Sequence, residues 1–179
     1  PPTLGEAGKF GFSLSIAADP ITPTIAIGEK YSPKTGNNSE KGAVYIYKWN
    51  NPDFTSGNWI LDKTIVGSNA GDQCGHSVAL NHSGDIIALG SKKYTYSGNI
   101  PGTFNSYSGS QHGQVRIFRD NGTDWTSIGT IDPPNFDGNT FFGGSLSLNK
   151  NGTVVVVGAS GYSTSELNAV GGAFAYTYT

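Results

Sequence analysis

Small and apolar residues alternate over short stretches of this chain, and the alternation recurs. Ser13-Leu14-Ser15-Ile16, Ser77-Val78-Ala79-Leu80 and Ser145-Leu146-Ser147-Leu148 each place small residues on one face and branched apolar ones on the other, the period-two signature of a strand. Each stretch opens on a related triplet, Phe10-Gly11-Phe12, Cys74-Gly75-His76 and Phe142-Gly143-Gly144. A second apolar strand ending in glycine follows each time: Thr24 to Gly28, Asp85 to Gly90 and Thr153 to Gly158. Asn81-His82-Ser83-Gly84 and Asn149-Lys150-Asn151-Gly152 read as the hairpin turns between them, and Asp19-Pro20 to Thr22-Pro23 does the same with rigid prolines.

A third strand is predicted at Gly42 to Tyr47, Gly113 to Phe118 and Gly172 to Tyr176. A fourth begins at a tryptophan, Trp59 or Trp125, and ends at Ile65 or Ile131; the third copy has none. The units start 64 and 68 residues apart, at Phe10, Cys74 and Phe142. A recurring unit of that size is one supersecondary module stacked on its own copies. The expected fold class is therefore all-β, a single region of residues 1–179 with repeats at about 1–66, 67–132 and 133–179. Four antiparallel strands per unit describe a β-propeller blade, so three blades are expected, the last incomplete.

Composition agrees: 26 glycines, no methionine and 13% charged residues suit short strands and turns better than amphipathic helices. A formal charge of -2 with scattered Lys and Arg gives no long-range pull towards nucleic acid, so no polyanion partner is expected. No apolar run approaches the roughly 20 residues that span a bilayer, so membrane insertion is not expected either. Cys74 is alone, which rules out an internal disulfide; in the slot of Phe10 and Phe142 it reads as a buried hydrophobe. Pro1-Pro2 aligns with Pro133-Pro134, each pair beginning nine residues before a Phe-Gly, and we read the start as a segment cut or processed at a repeat boundary.

The Phe-Gly openings, the Ser-Leu-Ser-Leu of strand one, Val157-Gly158-Ala159-Ser160 and the aromatic third strand resemble FG-GAP repeats, the blades of integrin α-subunit propellers and their bacterial, algal and viral relatives. The resemblance covers nearly the whole chain and implies a propeller at an extracellular, cell or virion surface. Two departures stand out. The family's Gly-Ala-Pro ending reads Gly28-Glu29-Lys30, Gly90-Ser91-Lys92 and Gly158-Ala159-Ser160. Many members hold calcium in an Asp-rich turn between strands one and two, and Ca²⁺ takes about six to eight oxygens. Here Asn81 to Asp85 and Asn149 to Gly152 offer at most one carboxylate each, so metal-free hairpins and no cofactor are expected. Closed rings run from about four to eight blades. Three blades would need completion by a longer chain, a second copy or other subunits.

In an antiparallel blade the connections from strand two to three and from strand four to the next strand one leave from one end. The long ones, 29–41, 91–112 and 159–171, make that end the expected binding surface. Candidate binding residues are Tyr31, Tyr94, Tyr96, Phe104, Tyr107, His112 and Tyr162, whose rings either stack on a protein or glycan ligand or hold their own loops together. Gly75-His76-Ser77 suggests a His-assisted serine, but Ser13 and Ser145 occupy the same place, so this serine follows the repeat. His82 and His112 lie in different connections, with no metal-ligand spacing. Glu6, Glu29, Glu40, Asp72, Asp137 and Glu166 could supply a glycosidase-like pair, yet nothing singles out two of them. Sequons at Asn37, Asn81, Asn121 and Asn151 become glycan candidates if the chain passes through a eukaryotic secretory route. The leading expectation is a non-enzymatic recognition or structural module. Its alternatives are a subunit of a virion, tail or filament and a polysaccharide-acting propeller enzyme.

Overall fold

The alternating stretches fold as strands, and every regular element among the described residues is a strand. The computed structural model describes residues 8–17, 19, 22–31, 40–51, 56–95, 98–99, 106–107, 111–134, 138–164 and 166–178. β1 (Phe10–Ile16), β2 (Thr24–Glu29), β3 (Ala43–Trp49) and β4 (Trp59–Val66) pair antiparallel in chain order as the first sheet. The second sheet begins with β5 (Cys74–Leu80) and β6 (Ile86–Ser91). After a two-residue hairpin of β7 (Gly98–Asn99) and β8 (Ser106–Tyr107), it continues through β9 (Gln114–Asp120) to β10 (Trp125–Ile131). β11 (Phe142–Leu148), β12 (Val154–Ala159) and β13 (Gly172–Thr177) form the third sheet, which has three strands as its sequence implies. The long 91–112 connection contains the short β7–β8 pair.

The Phe-Gly signature is a backbone device. In each first strand the pairing register shifts between the opening residue and the serine, from Phe10 to Ser13, Cys74 to Ser77 and Phe142 to Ser145. The glycine in each bulge has positive φ: +85° at Gly11, +79° at Gly75 and +81° at Gly143. Only glycine takes that conformation without steric cost, which is why the motif keeps its glycine while the neighbouring residues vary.

The bulge lets one sheet plug into the one before it. Ser13 pairs with Gly28 and Ser77 with Gly90, so each sheet presents a small-residue notch. Into the first notch projects the Gly75 carbonyl, which accepts a hydrogen bond from Ser13 Oγ at 2.8 Å. The Gly143 carbonyl enters the second and accepts from Ser77 Oγ at 2.7 Å. A methyl group at Gly28 or Gly90 would sit 2.1 Å from the incoming carbonyl oxygen, so no other residue fits. Further along the first junction, the Leu80 amide donates to Ser15 Oγ at 2.9 Å.

Large residues from one sheet cover small ones on the next. Val78, Leu80, Ile87 and Leu89 of the second sheet pack with Ala26 and Ile46 of the first. Leu146, Leu148, Val155 and Val157 of the third pack with Ala88 and Ile117 of the second. Fully burying each such branched side chain contributes about 1.5–3 kcal/mol. These two interfaces are the hydrophobic core. Cys74 is buried in the first, where its Sγ receives Arg116 Nη2 at 3.1 Å. At the outer strands the first junction is tied by charge: Lys48 Nζ lies 2.5 Å from Asp120 and 3.2 Å from Asp62, which also accepts from Trp125 Nε1 at 2.7 Å.

Candidate functional site

Successive first strands lie side by side, so residues at the same repeat position become neighbours across a junction. Phe12 and His76 both stand third in their strands, and their rings meet at 4.9 Å between centroids. Lys30 and Lys92 both stand two residues beyond the glycine that closes the second strand's core, at the same end of their sheets. Lys30 Nζ lies 4.6 Å from the Phe12 ring centroid and 5.1 Å from that of Tyr31; Lys9 Nζ is also 5.1 Å from Tyr31. Lys92 Nζ sits 5.0 Å from the Phe141 ring, in the third repeat. Ammonium groups over aromatic faces are held by the ring quadrupole.

His76 reports the resulting potential. Its pKa is lowered from 6.5 to about 4, first by burial and then by the ammonium groups of Lys92, Lys30 and Lys93. The imidazole is therefore neutral at pH 7, and its buried Nδ1 has no hydrogen-bond partner among the described residues. No carboxylate forms an ion pair with Lys9, Lys30, Lys92 or Lys93 among the described residues. Glu29, beside Lys30 in sequence, accepts from Tyr45 Oη at 2.6 Å through Oε2. The loop-bearing end thus carries cationic and aromatic side chains whose ammonium groups have no ion-pair partner among the described residues, an arrangement suited to an acidic ligand.

Lys9, Lys30 and the adjacent Lys92 and Lys93, far apart in sequence, lie at this end of their sheets. Repeat alignment of Lys30 with Lys92 was the available signal; net charge could not reveal it. Among the expected binding rings, Tyr31 belongs to this cluster. Tyr94 is half-buried at the start of its loop, its amide bonded to the Ser91 carbonyl at 3.0 Å. Tyr162 packs edge-on against Phe174 at 4.9 Å, as a support for the third sheet. His112 is fully buried beneath the loop surface, and its carbonyl accepts from Phe142 N at 2.9 Å and from Thr140 Oγ1. Tyr96 and Phe104 lie outside the described residues, as does the side chain of Tyr107 in β8. Phe12, His76 and the four lysines were not among the expected binding residues.

Ser77, Asp72, Asp85 and Asn81 are engaged in structure, while Glu6 and Asp137 lie outside the described residues. The Ser77 hydroxyl is buried and directed at the Gly143 carbonyl. Asp72 is buried, accepts from Asn69 N at 2.6 Å, and has its carboxyl raised by that burial against the pull of its hydrogen bonds and Arg116. In the β5–β6 turn, burial opposes the charge on Asp85, but hydrogen bonds from Ser83 and Asn81 prevail and hold its carboxyl below the usual range. Asn81 is itself buried and its Oδ1 accepts from Ile86 N at 3.0 Å, so this sequon is inaccessible in the folded chain. Asn121 and Asn151 are exposed, and Asn37 lies outside the described residues. Among the described residues no group of three or more His, Cys, Asp or Glu is placed to hold a metal ion. Neither the family models nor the curated proteins compared with this chain match it.

Proposed function

We propose that the three sheets are propeller blades of the FG-GAP kind and that the chain is a non-enzymatic recognition module of a cell or particle surface. It binds an acidic ligand, glycan or protein, through the end that carries the strand-two-to-three connections. The observation that supports this most is the Phe12–His76 contact with Lys30 over the Phe12 ring, where burial and then Lys92, Lys30 and Lys93 disfavour a charge on His76 and none of the three lysines forms an ion pair among the described residues. Rings give stacking area for a sugar or side chain, and ammonium groups select carboxylate or sulfate. Fold resemblance alone does not choose a ligand, and the acidic class rests on the chemistry of these side chains.

An array of neutral, carboxylated and sulfated glycans, with acidic and basic proteins spotted beside them, tests the reading. Wild type is expected to bind acidic members of either set and to weaken with added salt. Lys30→Glu with Lys92→Glu should reduce that binding at least about tenfold, the loss of roughly 1.4 kcal/mol. Binding that is absent, or indifferent to both lysines, would overturn the proposal.

A further inference from the structure

The third sheet carries a complete socket that no described part of this chain fills. Ser145 pairs with Gly158 as Ser13 pairs with Gly28 and Ser77 with Gly90. In the first two sheets the notch holds the next sheet's glycine carbonyl. In the third it is an open recess of about 390 Å³ bounded by Ser145, Gly158, Ser160, Gly172 and Lys92. A methyl on Gly42 or Gly113 would fall 2.1 or 2.0 Å from the carbonyl oxygen of Cys74 or Phe142, whereas Gly171, in the same repeat position, has nothing nearer than 3.7 Å. The third repeat therefore keeps Ser145, Gly158 and Gly171 at the positions that a neighbouring sheet occupies in the other two, with no such neighbour among the described residues.

The first sheet carries the matching plug. Gly11 has the same positive-φ bulge as Gly75 and Gly143, and no atom of the described residues lies within 4 Å of where its side chain would be. Leu14 and Ile16 are 69% and 68% exposed, while their counterparts Val78 and Leu80 are buried against the preceding sheet. On the opposite end of the series, Val156 is 44% exposed where its counterparts Ala26 and Ala88 are fully covered. One outer face of the described sheets thus carries large exposed side chains and a bulge, and the other carries the Ser145–Gly158 notch with Val156 where Ala26 and Ala88 stand, both uncovered among the described residues. Exposed apolar faces of this kind mark interaction surfaces.

We propose that the socket of the third sheet receives β1 of a second copy of this chain, the Gly11 carbonyl accepting from Ser145 Oγ as Gly75 accepts from Ser13. Leu14 and Ile16 of the partner then cover Ser147, Val156 and Ala175. The occupant is a second copy because the chain itself carries both halves of a junction it already builds twice internally. The contact is head-to-tail, and such contacts either close into a ring or extend. Two copies bring together six sheets, within the range of about four to eight found in closed rings. This inference draws on the two internal junctions alone and is independent of the ligand reading.

Sedimentation velocity over a wide concentration range tests it, using Leu14→Glu at the plug and Val156→Glu at the socket. Both positions are exposed, so both variants should fold, which circular dichroism verifies. Wild type is expected to shift from 18.7 kDa to a species of at least twice that mass as concentration rises. Each variant alone should weaken association by at least about tenfold. Mixing the two should restore a dimer, because one retains the socket and the other the plug. A wild type that stays monomeric at the highest concentration, a variant that still self-associates, or a mixture that does not pair would each overturn the proposal.

Discussion

Ser77 and Gly143 are joined across the second junction by a buried hydrogen bond, Oγ to carbonyl oxygen at 2.7 Å. The same contact joins Ser13 to Gly75 across the first. A hydroxyl and a carbonyl that meet away from water satisfy one another, and removing one partner leaves the other desolvated at a cost of about 1–3 kcal/mol. The repeated serine thus holds sheets together.

Ser77→Ala should accordingly destabilise the chain by about 1–3 kcal/mol in urea unfolding. Ser145→Ala, at the same repeat position, should change stability by less than about 0.5 kcal/mol, because that serine is exposed with no hydrogen bond among the described residues. Measured at low protein concentration, equal effects would detach the serine from any junction role.

How much of this was legible in the sequence follows from its period. Alternation at Ser145 to Leu148 gave the strands, and the recurrence of Phe10, Cys74 and Phe142 gave the three sheets with the last one short. Trp59 and Trp125 do open the fourth strands. The bulge at Gly11, Gly75 and Gly143 was not legible, because a glycine in a strand pattern does not announce which neighbour approaches it. The cationic cluster was hidden for a related reason. Lys30 and Lys92 are 62 residues apart in sequence and both lie in reach of His76 only once the first strands are side by side. His112, singled out as a loop residue, is buried, and its carbonyl is tied to Thr140 Oγ1 and Phe142 N.

Acid should loosen the structure through His76. The unfolded imidazole binds a proton near pH 6.5, the folded one only near pH 4, so the unfolded state binds more protons between those values. This contribution to stability is complete above pH 6.5 and is lost progressively as pH falls towards 4. His76→Phe, which keeps the ring against Phe12 and cannot titrate, should flatten that part of the pH profile. Titration by NMR should also show the imidazole pKa rising when Lys92 is changed to Gln. An unmoved value would remove the lysines from its surroundings.

Lys48 bridges the first sheet to the second through Asp62 and Asp120. Burial works against its charge, but hydrogen bonds to Asp120 and Asp62 outweigh that and hold the ammonium above its ordinary range. Lys48→Met should lower stability by about 1 kcal/mol, less at high salt, since partly exposed pairs are screened. A loss that does not respond to salt would point to packing of the lysine stem instead.

Cys74 should resist thiol reagents in the native chain, because burial raises its pKa against the opposing pull of Arg116 and removes it from solvent. Labelling at neutral pH should proceed only as the chain unfolds, at a rate that tracks denaturant. Rapid stoichiometric labelling of folded protein would place the first junction open to solvent.

The face-to-face stacking of like sheets is tested most directly by comparing Gly90→Ala with Gly158→Ala in equilibrium unfolding of dilute protein. Both glycines end the core of a second strand opposite a serine, yet a methyl at Gly90 would fall 2.1 Å from the Gly143 carbonyl, and one at Gly158 meets only the rotatable Ser145 hydroxyl at 2.2 Å. Gly90→Ala should therefore cost about 2–3 kcal/mol through overpacking. Gly158→Ala should stay within about 1 kcal/mol of wild type, its small clash offset by reduced freedom of the unfolded chain. Equal losses at the two positions would contradict the stacking.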